Sequence, residues 1–330
     1  MSNIAHRANS ALAAPLLVRL TRGRAALALL LLLIPTALYA QPDSGATLKI
    51  DVGLVNVFVT VTDRNGALVG GLNKDDFALS EDGRPQAISV FERQSQVPLA
   101  LTLAIDTSGS VRKDLGAEAA AAKHFVRAVL RPQDRMSLLQ FATDVGVLTP
   151  FTNKVSEVNR GLSHLHGGWA TALYDAVRDA SVGLGHRQGR KVLVIVSDGD
   201  DTVGDSTYAQ ALQAALRNEV MVYSIIDVPI AASAGRDTGG EHALITLSQQ
   251  TGGKYYYVDQ GGLDQAFAKL SEDLRTEYLL GYYPRNQVRG IGFHRISVTI
   301  PRAAPGDFLI SNRVGYYAET PAAAYPQEKP

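Results

Sequence analysis

The chain has 330 residues, 46% apolar and 19% charged, a globular composition that excludes collagen, coiled coil or a disordered polymer as the main architecture. Its formal charge is zero, 32 basic against 32 acidic residues, without the basic excess expected of a nucleic-acid-binding domain. It holds no cysteine, which excludes disulfide scaffolds, thiolate metal sites, iron–sulfur clusters and cysteine nucleophiles.

At ~150 residues per domain the length suggests two folded units. The N-terminus is basic, with Arg7, Arg19, Arg22 and Arg24 all preceding the first acid, Asp43. An unbroken apolar run from Ala25 to Ile34 follows, then Pro35 and a stretch ending at Ala40. This is the pattern of a secretory signal peptide over residues 1–40. The run is short for a spanning helix, which needs ~20 apolar residues, so an uncleaved N-terminal anchor is the second reading. Either one exports the remainder, to the periplasm or the medium. Residues 41–330 carry 28 basic and 32 acidic residues, and without cysteine they must be held by core burial.

Residues 47–62 alternate apolar positions with a change of parity, which predicts a bulged strand or two short strands. Asp63-Arg64-Asn65-Gly66 and Asp82-Gly83-Arg84-Pro85 read as turns, and residues 47–93 as a β segment. From Leu99 to Ile105 the chain is nearly all apolar, as a strand covered on both faces should be. Asp114 to Leu130 is alanine-rich and helical, Met136 to Phe141 a strand, and Thr171 to Leu184 a helix. Val192 to Val196 and Val220 to Ile226 are further buried strands, with helices at Tyr208 to Arg217, Leu244 to Gln250 and Leu263 to Leu274. This alternation predicts an α/β fold over residues 97–275, a doubly wound, Rossmann-like parallel sheet. Tyr278 to Pro284, Arg295 to Ile300 and Arg313 to Tyr317 return to strand, so residues 277–318 and 47–93 are expected to pair into one small all-β domain. Residues 319–330, rich in Pro and Ala, read as a disordered tail.

In an open parallel sheet, ligands bind beyond the carboxyl ends of the strands. There the first buried strand is followed by Asp106-Thr107-Ser108-Gly109-Ser110, and the second by Ser197-Asp198-Gly199-Asp200-Asp201. Between them Gly167-Gly168-Trp169-Ala170-Thr171 opens a helix. Two carboxylates with serine and threonine hydroxyls form a hard-oxygen set suited to Mg²⁺. Taken singly, each piece also has a plain structural reading: a helix cap for Asp-x-Ser-x-Ser and Thr171, a turn for Ser-Asp-Gly.

Together, these three separated elements resemble the metal-ion-dependent adhesion site of von Willebrand factor type A domains. Val61 to Gly66, Asp76-Phe77, Glu81-Asp82-Gly83, Tyr278 to Pro284 and Gly315-Tyr316-Tyr317 in the flanks make the whole similar to the exported "VWFA-related" bacterial family abundant in Acidobacteria. The resemblance implies a metal held by Asp106, Ser108, Ser110, Thr171 and Asp198, some of them acting through water. It implies Mg²⁺, with Mn²⁺ or Ca²⁺ as substitutes, and an open position filled by an Asp or Glu carboxylate of a protein partner.

Other motifs carry less. His164-x-His166 lacks a third ligand at metal spacing and reads as solvated loop histidines. Gly183 to Gly189 approximates a dinucleotide loop, but its third glycine is one residue late and it precedes a strand. Eight of the thirteen tyrosines, at 255, 256, 257, 278, 282, 283, 316 and 317, mark either a partner surface or half-buried strands. The sequence therefore predicts a non-enzymatic exported adhesion or scaffold module with a protein partner and no nucleic acid. The alternatives are a metal-dependent hydrolase using the same oxygens, with Asp200 and Asp201 as spare carboxylates, and a structural subunit of an envelope complex.

Overall fold

The computed structural model describes residues 53–93, 96–109, 115–227, 238–258, 262–285, 292–304 and 306–318. The first forty residues, Ser110 and the tail from residue 319 lie outside the described residues, as does the whole N-terminal unit Met1–Lys49. Among the described residues no helix is long and apolar enough to cross a membrane.

The N-terminal flank supplies β1 (Val55–Asp63), a 3-10 turn (Lys74–Asp76), β2 (Ala78–Glu81), β3 (Arg84–Gln86) and β4 (Ile88–Arg93). The α/β region follows with β5 (Leu99–Asp106), α1 (Leu115–Val129), β6 (Arg135–Phe141), β7 (Val145–Thr152), α2 (Val155–Leu162), α3 (Leu173–Gly185), β8 (Arg190–Ser197), α4 (Tyr208–Arg217), β9 (Val220–Ile226), α5 (Thr238–Thr251), β10 (Tyr255–Tyr257) and α6 (Gly262–Asp273). The C-terminal flank adds β11 (Tyr278–Tyr282), β12 (Gly292–Thr299), β13 (Phe308–Ser311) and β14 (Gly315–Ala318).

The central sheet has six strands in the order β10-β9-β8-β5-β6-β7. All neighbours are parallel except β6 and β7. Period-2 alternation sends Leu101, Leu103, Ile105, Val192, Val194 and Val196 to one face, where they meet α1, α2 and α6 through residues such as Phe125, Leu162 and Phe267. Ala100, Ala104, Leu193 and Ile195 point to the other face, against Leu173, Val177, Ala211 and Leu244. Burial on both faces is why these strands read as continuous apolar runs. The chain leaves β5 towards β6 on one side and returns to β8 on the other, so a topological switch point lies between β5 and β8.

The flanks build two four-stranded sheets, β13-β1-β11-β4 and β14-β12-β2-β3. β1 pairs antiparallel with β11 and β13, so the two flanks share one sheet. The two sheets enclose a common core: Val55, Val57, Val59, Val61 and Tyr278 from one, Leu79, Ile296, Val298 and Tyr316 from the other. Residues 55–63, the second half of the alternation read over 47–62, form one regular strand, and its first half through residue 52 lies outside the described residues. On the second face of β1, Asn56 is exposed, Thr60 and Thr62 are buried, and Phe58 packs against the core beneath α1 and α6. Of the clustered tyrosines, Tyr278, Tyr282 and Tyr316 are buried in the sandwich, while Tyr255, Tyr257 and Tyr283 are exposed.

Candidate functional site

Asp106 is the last residue of β5 and Ser197 the last of β8. In the β5–β8 register Ile105 lies opposite Val196, which brings both ends to the same level at the switch point. Three loops meet there and are tied pairwise. The Ser197 hydroxyl donates to Asp106 Oδ2 at 2.6 Å, joining the first loop to the third. The Gly168 amide donates to the Thr107 carbonyl at 2.7 Å, joining the second to the first. The Thr202 amide donates to the Thr171 carbonyl at 2.9 Å, joining the third to the second.

Two glycines are needed for this closeness. A Cβ on Gly168 would stand 2.3 Å from the Ala142 Cβ. Gly199, at φ +100°, packs against the first turn of α5, where a Cβ would meet the Gly240 carbonyl carbon at 2.5 Å.

Asp106 is 1% exposed. Its Oδ1 accepts the Ser108 amide at 2.9 Å, and the Ser108 hydroxyl also bonds to the carboxyl. Among the described residues no basic side chain pairs with it. Burial therefore dominates and pushes its pKa up to about 6, with the nearby Asp198 charge adding to the rise against the hydroxyl and amide bonds that oppose it. Ser108 and Thr171 are buried beside it, and Asp198, just past β8, is half-buried. The structure thus brings Asp106, Ser108, Thr171 and Asp198 to one end of the sheet, with Ser110 outside the described residues.

The donor set fits a hard cation. It consists of carboxylate and hydroxyl oxygens, and its deepest carboxylate has no protein counter-charge among the described residues. One other acid of the third loop is differently employed. Asp201 Oδ1 accepts the Tyr174 amide at 3.2 Å and so caps α3, while burial raises its pKa. Asp175, on α3, accepts the amides of Asp205 and Ser206 and ties down the rest of the loop. Sequence reasoning placed Asp198 in the site but passed over its neighbour Ser197. The signal was a lone hydroxyl at the end of the apolar run Val192 to Val196.

The two loop histidines are engaged elsewhere: the His164 ring bonds to the Arg160 carbonyl at 2.6 Å and the His166 ring to the Gln140 amide at 2.8 Å. A second cluster, Glu81, Asp82 and His294, lies in the sandwich. There His294 Nδ1 is 2.8 Å from Asp82, and Glu81 accepts the hydroxyls of Tyr282 and Tyr316.

Among solved structures, a von Willebrand factor type A protein from Catenulispora acidiphila is 12% identical, with 78% of this chain and 73% of that one covered at a TM-score of 0.47. The conserved hypothetical protein BatB from Bacteroides thetaiotaomicron is 16% identical over 53% of this chain and 97% of its own, at a TM-score of 0.44. The PilB minor pilin from Streptococcus sanguinis is 14% identical over 55% and 62%, at a TM-score of 0.43. No curated protein sequence matches the chain. Residues 101–201, which run from β5 through the third loop, match the von Willebrand factor type A domain family.

Proposed function

We propose that this protein is an exported adhesion or scaffold module of the "VWFA-related" kind, docking a protein partner through a divalent cation at the switch point. In this reading residues 1–40 direct export, residues 97–275 form the docking domain, and residues 47–93 with 277–318 form its β support. Asp106, Ser108, Ser110, Thr171 and Asp198 hold the ion, Mg²⁺ by the hardness of its oxygens. Once bound, the ion offers a positive centre whose charge two carboxylates nearly neutralise and whose open position suits one more carboxylate, from a partner Asp or Glu.

The observation that carries the reading is Asp106: a buried carboxylate with no basic partner among the described residues, at the meeting of three mutually bonded loops. A hydrolase would need a base or nucleophile free beside the metal, and Asp201, one of its two spare carboxylates, is spent on the helix cap. The test is calorimetric titration of the purified chain with MgCl₂, repeated on Asp106→Ala. Saturable one-site uptake by wild type and its loss in the variant support the reading. Equal uptake by both, or none by wild type, removes it.

A further inference from the structure

We propose that Trp169 sets the specificity of this docking edge by receiving an apolar side chain that stands next to the carboxylate of a protein partner. The inference rests on the docking reading above and names the kind of partner. Trp169 is the chain's single tryptophan, and it is 85% exposed. Burying an indole removes 150–250 Å² from water, so leaving one outside forgoes a large stabilisation.

The exposure comes from fastened backbone. On one side Gly168 is bonded to Thr107 and pressed against Ala142 with no room for a side chain. The Trp169 carbonyl itself lies 3.4 Å from where a Cβ on Gly109 would be. On the other side the Thr171 amide donates to the Thr202 hydroxyl at 2.9 Å, and Ala172 donates to the Ala142 carbonyl at 2.8 Å. The same junction holds Val203, 37% exposed, whose amide donates to the Thr171 carbonyl at 3.1 Å. Two exposed apolar side chains therefore flank Thr171, a proposed metal contact.

Charge complementarity selects the occupant. Among the described residues the edge carries Asp106, Asp198, Asp200 and Asp201, which repel an anionic partner until a divalent cation is bound. A single carboxylate on the ion is then a strong but undiscriminating contact, since any exposed Asp or Glu can make it. An adjoining indole adds the discrimination, because tryptophan-centred contacts dominate interface energetics once desolvated. The fitting partner is a protein loop in which Asp or Glu adjoins an aromatic or large aliphatic residue.

The probe is a phage-displayed library of random heptapeptides, panned on the immobilised full chain in MgCl₂ and eluted with chelator. Wild type is expected to enrich Asp or Glu beside a large apolar residue. Trp169→Ala should keep the acidic enrichment and lose the apolar one, binding the wild-type consensus peptide about tenfold or more weakly. Trp169→Phe should retain most of the preference. Because the chain has one tryptophan, that peptide should also shift its emission and shield it from acrylamide. Apolar preference surviving in Trp169→Ala, or emission unmoved by bound peptide, overturns this inference and leaves metal-dependent docking standing. Peptides that resist chelator, or that Asp106→Ala still captures, overturn the docking reading itself. A wild-type pool with no enrichment overturns both.

Discussion

The central sheet carries a buried carboxylate at each end, and the two are treated in opposite ways. At the carboxyl end Asp106 meets, among the described residues, hydroxyls, an amide and the charge of Asp198. At the amino end Glu277, whose side chain is fully buried, meets the Arg190 guanidinium at 2.9 Å and the Tyr223 hydroxyl at 2.5 Å. Arg190 opens β8, donates to the Leu274 carbonyl and lies over the Phe58 ring of the sandwich, so this pair joins the two halves of the fold. One acid has its cation built into the chain. The other has none among the described residues.

The largest effect should come from breaking the built-in pair. Arg190→Met leaves Glu277 buried beside the Tyr223 hydroxyl alone. Removing one partner of a buried pair costs about 3–5 kcal/mol, read as a lower midpoint in urea. Adding Glu277→Leu to that variant should restore much of the loss, because the double change buries no charge. A single variant as stable as wild type would mean the amino-end acid is neutral in the fold, and the contrast between the two ends would fail.

Asp106→Asn should move stability the other way. With chelator present, the native state of wild type keeps a proton on Asp106 that the unfolded chain has already shed between pH 3.8 and about 6. Stability therefore falls as pH rises through that window, and above it the full penalty stands. At about 1.4 kcal/mol per pKa unit the penalty is about 3 kcal/mol at most. Asparagine removes the charge, so the variant should be more stable than wild type at pH 7 in chelator and lack that pH dependence. In MgCl₂ the order should close or reverse, because only wild type gains binding energy, about 2.7 kcal/mol at a hundredfold excess over Kd. Thermal melts at pH 4.5 and 7, with and without Mg²⁺, read all four cases.

The two ends also differ in how far the sequence announced them. The place of Asp106, Ser108, Thr171 and Asp198 at the carboxyl end of the sheet was legible because each follows or precedes a recognisable element, and strand ends in such a sheet have a known direction. Arg190 and Glu277 were not legible, because 87 positions separate them and neither has a local signature. Strands β5, β8 and β9 stood out since two covered faces leave an unbroken apolar run. Strand β7 was missed: it is an edge strand, partly exposed, antiparallel to β6 and carrying Pro150, which only an edge tolerates. Helix α2 has eight residues and β10 three, too few for a period to show.

Gly168→Ala tests whether the carboxyl end owes its form to loop closeness. The added methyl meets the Ala142 Cβ, which belongs to the backbone turn after β6 and has little freedom to yield. Overpacking of this kind costs about 1–3 kcal/mol, and the strain falls on the bond between Gly168 and Thr107 that holds the first two loops together. Mg²⁺ uptake should weaken along with stability. Weaker uptake at unchanged stability would place the loops under less mutual constraint than their hydrogen bonds imply.

The smallest effect sharpens the comparison most, because the two pairs share a separation and differ widely in burial. Arg313 and Glu219 form an ion pair at 2.9 Å, the same separation as Arg190 and Glu277, and also span the two halves of the fold. Here the carboxylate is 51% exposed where that of Glu277 is fully buried. Water solvates Glu219 in both folded and unfolded states, so its pairing adds little. Arg313 keeps the Asn56 carbonyl and the Tyr316 ring without it. Glu219→Gln should therefore cost less than about 1 kcal/mol and still less in 0.5 M salt, measured by urea titration. A loss approaching that of Arg190→Met would show that separation, and not burial, governs both pairs, and the contrast drawn at Asp106 would then lose its physical basis.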